Sequence, residues 1–346
     1  MQKLAPKGGY PRVIKLDDQS LLLAYENYDG DIEYKKSKDQ GVSWLNAKKA
    51  YTSFVFTNDQ GEETLVRMSN PEMIQLSNGD LLMACNYRPI KDEVAPFSIV
   101  VRRSVDRGVT WLKPQIVFTG EPRFKDGCWE PSFLVLPNGE LHLYFANESP
   151  YLESDEQEIA MLLSVDNGKS WSVTPQQVSF REGCRDGMPV ATLFGDEILL
   201  VIEDNKQDQF KPYILRTSLI KKWCEPILAN SNQRIYALEE HMPDSIYMGA
   251  PYIITLPNGQ VAISYQTTEN RGSNWEKSCM EVAISDMNGE KFTQRSRPFQ
   301  VPLDKEAKWN SMLVLNDSIV LALTSSNLDG GEVAPWMVRG KVKKIK

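Results

Sequence analysis

Histidine is nearly absent from this sequence: His142 and His241 are the only two in 346 residues. Neither stands in a G-x-S-x-G or H-E-x-x-H context, which argues against a Ser–His hydrolase and a zinc peptidase. His142, inside L-H-L-Y-F, reads as an ordinary strand residue. Loops of the form G-x-x-x-x-G-K-[ST] or G-x-G-x-x-G are missing as well, so no nucleotide cofactor is expected. The five cysteines, Cys85, Cys128, Cys184, Cys224 and Cys279, show no C-x-x-C spacing, and their odd number leaves at least one unpaired. Neither a disulfide framework nor a metal site is expected. No apolar run approaches the roughly 20 residues of a membrane span. Positive charge is in deficit, with 39 Lys and Arg against 46 Asp and Glu for a net charge of −7, which argues against nucleic acid or an anionic membrane as partner. The start, M-Q-K-L-A-P-K-G-G-Y-P, has no apolar signal core. A cytoplasmic protein, or a mature form lacking its signal, is expected, and a monomer.

What is present is ordinary globular material, 41% hydrophobic and 25% charged, arranged as a repeat. Six segments share a small residue, usually proline, then an apolar alternation, a turn and a second apolar run. N-P-E-M-I-Q-L-S-N-G-D-L-L-M-A-C-N, E-P-S-F-L-V-L-P-N-G-E-L-H-L-Y-F-A and A-P-Y-I-I-T-L-P-N-G-Q-V-A-I-S-Y-Q are three of them. The anchors Pro11, Pro71, Pro131, Pro189, Pro251 and Ser311 are spaced by 60, 60, 58, 62 and 60 residues. The N-G turns mark hairpins. A third strand follows each hairpin, such as 97–103 or 158–163, and then a short fourth. Four antiparallel strands repeated radially make a propeller blade. The expected fold is all-β, a six-bladed β-propeller forming one domain over 1–346.

Between the third and fourth strands of three blades stands S-x-D-x-G-x-x-W, as S-K-D-Q-G-V-S-W from Ser37, S-V-D-R-G-V-T-W from Ser104 and S-V-D-N-G-K-S-W from Ser164. This motif resembles the Asp box (BNR repeat) of the sialidase superfamily, which carries it on such propellers. The residues themselves point to a fastener. Asp39, Asp106 and Asp166 are suited to accept backbone N–H bonds, Gly41, Gly108 and Gly168 to supply a positive φ, and Trp44, Trp111 and Trp171 to plug the space between blades. Blade five keeps only S-D-M-N-G-E-K-F.

Propeller geometry puts the Asp boxes on one face. The entry to each first strand and the exit from each second strand lie on the other, where the active sites of such folds lie by analogy. The residues just before the anchors are Tyr10, Asn70, Glu130, Met188, Ala250 and Asn310. The second-strand ends are Glu26, Asn86, Ala146, Glu203, Gln266 and Ser326. Glu130 in C-W-E-P and Glu203 closing I-L-L-V-I-E are acids at the ends of apolar strands, costly unless paired or set in a cavity. They read either as strand-end carboxylates in salt bridges or caps, or as the two carboxylates that glycoside hydrolysis needs, one delivering a proton and one ionised. Arg12, Glu26, Asn70, Arg88, Asp186, Gln266 and Asn310 are candidates to hydrogen-bond sugar hydroxyls, with Trp129 or Trp309 to stack on a ring. The acid-rich insert 147–158 overhangs the same face.

A sialidase would show an arginine triad and a tyrosine opening the last blade. Here Arg12 follows a proline in Y-P-R-V, and K-W-N-S-M places Trp309 and Asn310 at the last blade. The chain is more similar to glycoside hydrolase family 93, exo-arabinanases on the same propeller. The likeness lies in Y-P-R, in W-E-P followed by L-P-N-G-E-L, in G-M-P-V ahead of a strand ending in Glu, and in G-A-P followed by L-P-N-G. That resemblance implies Glu130 as nucleophile and Glu203 as acid/base, acting with retention on an arabino-oligosaccharide or polysaccharide. The alternatives are a sialidase and a non-catalytic carbohydrate-binding propeller.

Overall fold

The computed structural model describes residues 1–206 and 208–342. It is a six-bladed β-propeller of six sheets, as expected, antiparallel except where Ile227–Leu228 adds in parallel to Gln176–Phe180. Contacts gather the chain into two compact units, Arg12–Gln177 and, with Met1–Pro11, the chain from Val178 onward.

Hairpins of alternating residues build every blade. In blade two the strands are Glu63–Gln75, Leu81–Pro89, Ser98–Ser104 and Gln115–Thr119, extended by Phe54–Thr57. Blade three uses Cys128–Val135, Leu141–Asn147, Glu158–Ser164 and Gln176–Phe180. Blade four uses Asp186–Phe194, Glu197–Asp204, Lys211–Ser218 and Arg234–Tyr236. Their second strands are the most apolar and the most buried, with Leu81, Leu82, Met83, Ala84 and Cys85 all at 0% exposure, because they are covered on both sides. The N-G turns close as read: Gly79, Gly139 and Gly259 take φ of +87°, +87° and +86°, a conformation open to glycine at no steric cost.

Blade six differs in its chain source. Its strands Ala307–Asn316, Ile319–Ser326 and Ala334–Lys341 are completed by Gln2–Lys3 from the N-terminus, paired antiparallel through Gln2↔Met337 and Lys3↔Trp336. Leu4 N–H adds a bond to Pro335 O at 2.8 Å.

The Asp boxes are knots of local hydrogen bonds. Asp106 Oδ1 accepts from the N–H groups of Val109 and Thr110 at 3.0 and 2.9 Å, and Asp106 Oδ2 from Thr110 Oγ1 at 2.6 Å. Ser104 Oγ donates to Asp106 Oδ1 at 2.7 Å and accepts Gly108 N–H at 2.8 Å. Asp39 and Asp166 repeat this pattern. Hydrogen bonds from Ser43 and from Thr110 hold the carboxyls of Asp39 and Asp106 down to about 2. Trp111 packs edge-on against Tyr34 of blade one, centroids 5.9 Å apart. Asp106→Ala is therefore expected to lower the thermal unfolding midpoint by a few degrees and leave any hydrolytic rate unchanged, which calorimetry and a rate assay on one preparation would check.

Candidate active site

One non-glycine residue in the first strand of each blade sits in the left-handed region, within three residues of the strand's start except for Asn70 in the longer Glu63–Gln75: Tyr10 (φ 51°), Asn70 (53°), Glu130 (51°), Met188 (52°), Ala250 (47°) and Trp309 (57°). At each of the last five the strand register slips at a bulge, as between Trp129 and Ser132 or Gly187 and Val190. A left-handed non-glycine residue costs roughly 1–2 kcal/mol and persists only where its surroundings over-determine it. Here the surroundings are a hydrogen bond from blade to blade. Asn70 N–H donates to Glu26 Oε1 at 2.7 Å, Glu130 N–H to Asn86 Oδ1 at 3.1 Å and Ala250 N–H to Glu203 Oε2 at 2.6 Å. Trp309 N–H donates to Gln266 Oε1 at 2.8 Å and Tyr10 N–H to Ser325 Oγ at 2.8 Å. Blade three offers Ala146 at its second-strand end, a side chain with no acceptor.

This pattern corrects the count in blade six. Asn310 is the residue placed before the anchor by spacing, yet Trp309 holds the left-handed pose and Ser325, not Ser326, is the acceptor. The hairpin itself keeps its length, Ser311↔Leu323 spanning as many residues as Tyr252↔Ser264; the slip lies before it, where Ala250 and Trp309 stand 59 residues apart. Asn310 therefore stands where other blades carry proline, and it is buried at 2% exposure.

Within Arg12–Gln177, Glu130 is half-buried and follows Trp129. Trp129 is not an open stacking platform. It is 6% exposed, donates Nε1–H to Glu148 Oε2 at 2.7 Å and lies beneath Phe97 and Phe124 at 5.0 and 4.9 Å. Arg12 is buried and its Nε donates to Glu72 Oε2 at 3.2 Å. Glu26 is half-buried at its strand end, its carboxyl raised by burial against the opposing pull of the Asn70 amide, Arg88 and Arg12. Arg88 is exposed, its guanidinium over Phe124 and Trp129. The insert is less solvated than its composition implies. Glu148 and Glu158 turn inward, Glu158 accepting from Asn147 Nδ2 at 3.2 Å and Tyr151 OH at 2.8 Å. His142 is a buried strand residue within 2.8 Å of Tyr144 OH.

In the other unit Glu203 is half-buried, and burial raises its carboxyl to about 7 against the Ala250 amide and the Arg185 charge. Among the described residues, its Oε1 makes no hydrogen bond. Gly249 makes this placement feasible, because a Cβ there would lie 2.6 Å from Glu203 Oε2 and 2.3 Å from Tyr247 OH. Gln266, fully buried, is committed twice: Oε1 to the Trp309 amide and Nε2 to Tyr247 OH at 2.9 Å. Aromatic rings line this side. Trp275, 43% exposed, lies 6.0 Å from Tyr247 and 6.4 Å from Trp309, with Lys308 Nζ 4.8 Å over its ring. Trp309 is half-buried and packs on the cluster of Tyr10, Met188 and Ala250, so four of the six left-handed residues meet. Tyr247 and Trp275 carry no sequence signal; Gly249 is marked only as the glycine of G-A-P.

Asp186 is displaced from the sugar-binding role by its burial. At 0% exposure it receives Arg234 through Nη1 and Nη2 at 2.8 and 2.5 Å and Ser179 Oγ at 2.7 Å. Arg234 and Arg181 also bind Asp204 at 2.7 and 2.8 Å. Two arginines and two aspartates neutralise each other in the interior, the arrangement a buried charge requires. Arg234 lies 48 residues from Asp186, too far for local sequence to reveal it.

Residues 11–321 match the model of the BNR repeat-like domain. The chain belongs to that family. Among solved structures, this BNR repeat-like propeller is similar to a mutant of the α-L-arabinofuranosidase Arb93A from Fusarium graminearum in complex with an iminosugar inhibitor. The TM-score is 0.73 at 18% identity, covering 98% of this chain and 94% of that one. An α-L-arabinanase from Penicillium chrysogenum complexed with arabinobiose gives 0.69 at 19%, covering 97% and 94%. A Hadza microbial sialidase gives 0.64 at 11%, covering 98% and 66%. No curated protein matches the BNR repeat-like chain.

Proposed function

We propose that this propeller is an exo-acting glycoside hydrolase of the α-L-arabinanase type, with Glu130 as nucleophile and Glu203 as acid/base. The observation that carries the reading is Glu203: a half-buried carboxyl raised to about 7, with one oxygen fixed by an amide and the other without a hydrogen bond among the described residues. Such a group holds a proton near neutral pH and can release it to a departing oxygen. In the first step a Glu130 oxygen bonds the anomeric carbon while the glycosidic C–O bond breaks, and the Glu203 proton goes to the leaving oxygen. In the second, Glu203 takes a proton from water, whose oxygen bonds the anomeric carbon as the ester to Glu130 breaks. Two displacements retain configuration. The fold likeness to the two arabinan-related enzymes supports the sugar class, and exposed Trp275 beside Glu203's neighbour Tyr247 supplies a surface on which a ring can stack.

A second reading has an observation of its own. Glu203 performs the same backbone service as Asn86, Gln266 and Ser325, so its acid could be structural in a carbohydrate-binding propeller. The deciding experiment incubates the protein with an aryl α-L-arabinofuranoside, arabino-oligosaccharides and an aryl α-sialoside and follows products by NMR. Arabinose release with the α-anomer appearing first is expected. Sialic acid release alone would move the assignment to a sialidase, and binding without release of any sugar would leave the binding propeller.

A further inference from the structure

Arg67 and Arg88 are direct cross-strand partners in blade two. Like charges facing each other across an antiparallel pair are destabilising, and a sheet normally relieves them with a carboxylate. Among the described residues, neither arginine has an ion pair within 4.0 Å. Both are exposed, yet their stems are fixed. Arg67 packs on Gly30, whose φ is +104° and whose Cβ, if present, would lie 2.9 Å from Arg67 Cγ. Arg88 lies 5.0 Å over the Phe124 ring and 5.5 Å over Trp129. Between them is a cavity of about 360 Å³ lined by Glu26, Tyr28, Arg67, Ser69, Arg88 and Phe124. With Glu26 ionised its titratable lining carries one net positive charge, and with Glu26 protonated, two.

Two guanidiniums on one cavity, offset only by the half-buried Glu26 carboxyl and with no ion pair within 4.0 Å among the described residues, over a space large enough for one sugar unit, match an anionic oxygen group, which arginine binds through paired N–H bonds. Trp129, on which Arg88 rests, directly precedes Glu130. We propose that this cavity is a subsite for a sugar bearing a carboxylate or sulfate ester, so that the glycan substrate is acidically decorated. The inference rests on the hydrolase reading for the word substrate, but not for the binding.

The test is calorimetric titration of the full chain with methyl glucuronide, glucose 6-sulfate and neutral methyl glucoside, at low and at raised salt. One or both anionic probes are expected to bind more tightly than the neutral one and to weaken with salt; which of the two does so separates carboxylate from sulfate. Arg67→Gln and Arg88→Gln are each expected to weaken the preferred probe by about tenfold or more. Arg67→Gln, which deletes no side-chain hydrogen bond among the described residues, is also expected to leave the unfolding midpoint unchanged or raised, where a structural arginine would lower it. Equal binding of charged and neutral probes, or unchanged affinity in both variants, overturns the proposal. Hydrolysis of a neutral aryl arabinoside, read on the same preparation, keeps the two ideas apart. Hydrolysis without anion preference removes the subsite alone, and anion preference without hydrolysis of any glycoside removes the hydrolase reading alone.

Discussion

Glu130→Gln is expected to lower hydrolysis of every substrate, activated or not, by more than about a thousandfold, since a carboxamide cannot form the glycosyl ester. The change is nearly isosteric, and it leaves intact the bond that holds the backbone there, because Asn86 accepts the residue 130 amide whatever side chain it carries. Loss of rate with an unchanged unfolding midpoint is therefore chemical in origin. Glu130→Ala extends the test: formate or azide supplied at high concentration should restore turnover of an aryl arabinoside by entering the space of the missing carboxylate. Glu203→Gln is expected to behave differently. It removes the proton donor, so poor leaving groups suffer severely and a dinitrophenyl leaving group, which departs without a proton, suffers little in the first step. Full activity of Glu130→Gln on all substrates would remove the nucleophile assignment.

Stability should move in the opposite sense from activity at residue 203. The folded Glu203 carboxyl lies near 7, against an ordinary value of 4.5, with burial as the cause. Between those values the folded chain holds a proton that the unfolded chain has lost. Stability therefore falls as pH rises through that window, and the cost is complete above about pH 7. Glutamine keeps an oxygen for the Ala250 amide and carries no charge. Glu203→Gln is expected to match wild type near pH 4 and to exceed it at pH 8 by on the order of 2–3 kcal/mol, read as an unfolding midpoint at both pH values. Equal midpoints at pH 8 would show that Glu203 is well solvated, and would also remove the reason for a proton near neutrality. In wild type, kcat/KM should decline above about pH 7 as the same proton is lost.

Much of this architecture is legible because a propeller writes its period into the chain. Proline anchors and N-G turns recur at near-constant offsets, two of the three Asp boxes begin 33 residues after their anchors, and the strand alternation between them allows only hairpins. Positions defined by the same period, Glu130 and Glu203 among them, can be found by counting. Counting fails where the period slips silently, as at Trp309, whose blade lacks the proline and begins one residue early. It fails also where partners are remote. The Asp186–Arg234 pair, the Arg67–Arg88 opposition across a hairpin and the two-residue N-terminal strand in blade six depend on register and closure. Trp129 looks like a stacking surface in sequence, and only its burial beneath Phe97 and Phe124 shows it to be support.

The left-handed residues have an implication for how such a protein changes its chemistry. In five blades the amide at this position is secured by a side chain of the preceding blade, so the residue's own side chain is not the partner in the bond that holds its backbone. Tyrosine, asparagine, glutamate, alanine and tryptophan all occupy one pose. The scaffold thus separates two inheritances: the acceptor on one blade maintains geometry, while the residue it holds can be exchanged without losing that bond, most freely at half-buried Asn70 and Glu130, since Tyr10, Met188 and Ala250 also fill a packed cluster. New specificities on this frame can arise by single substitutions at known addresses, without remodelling a loop.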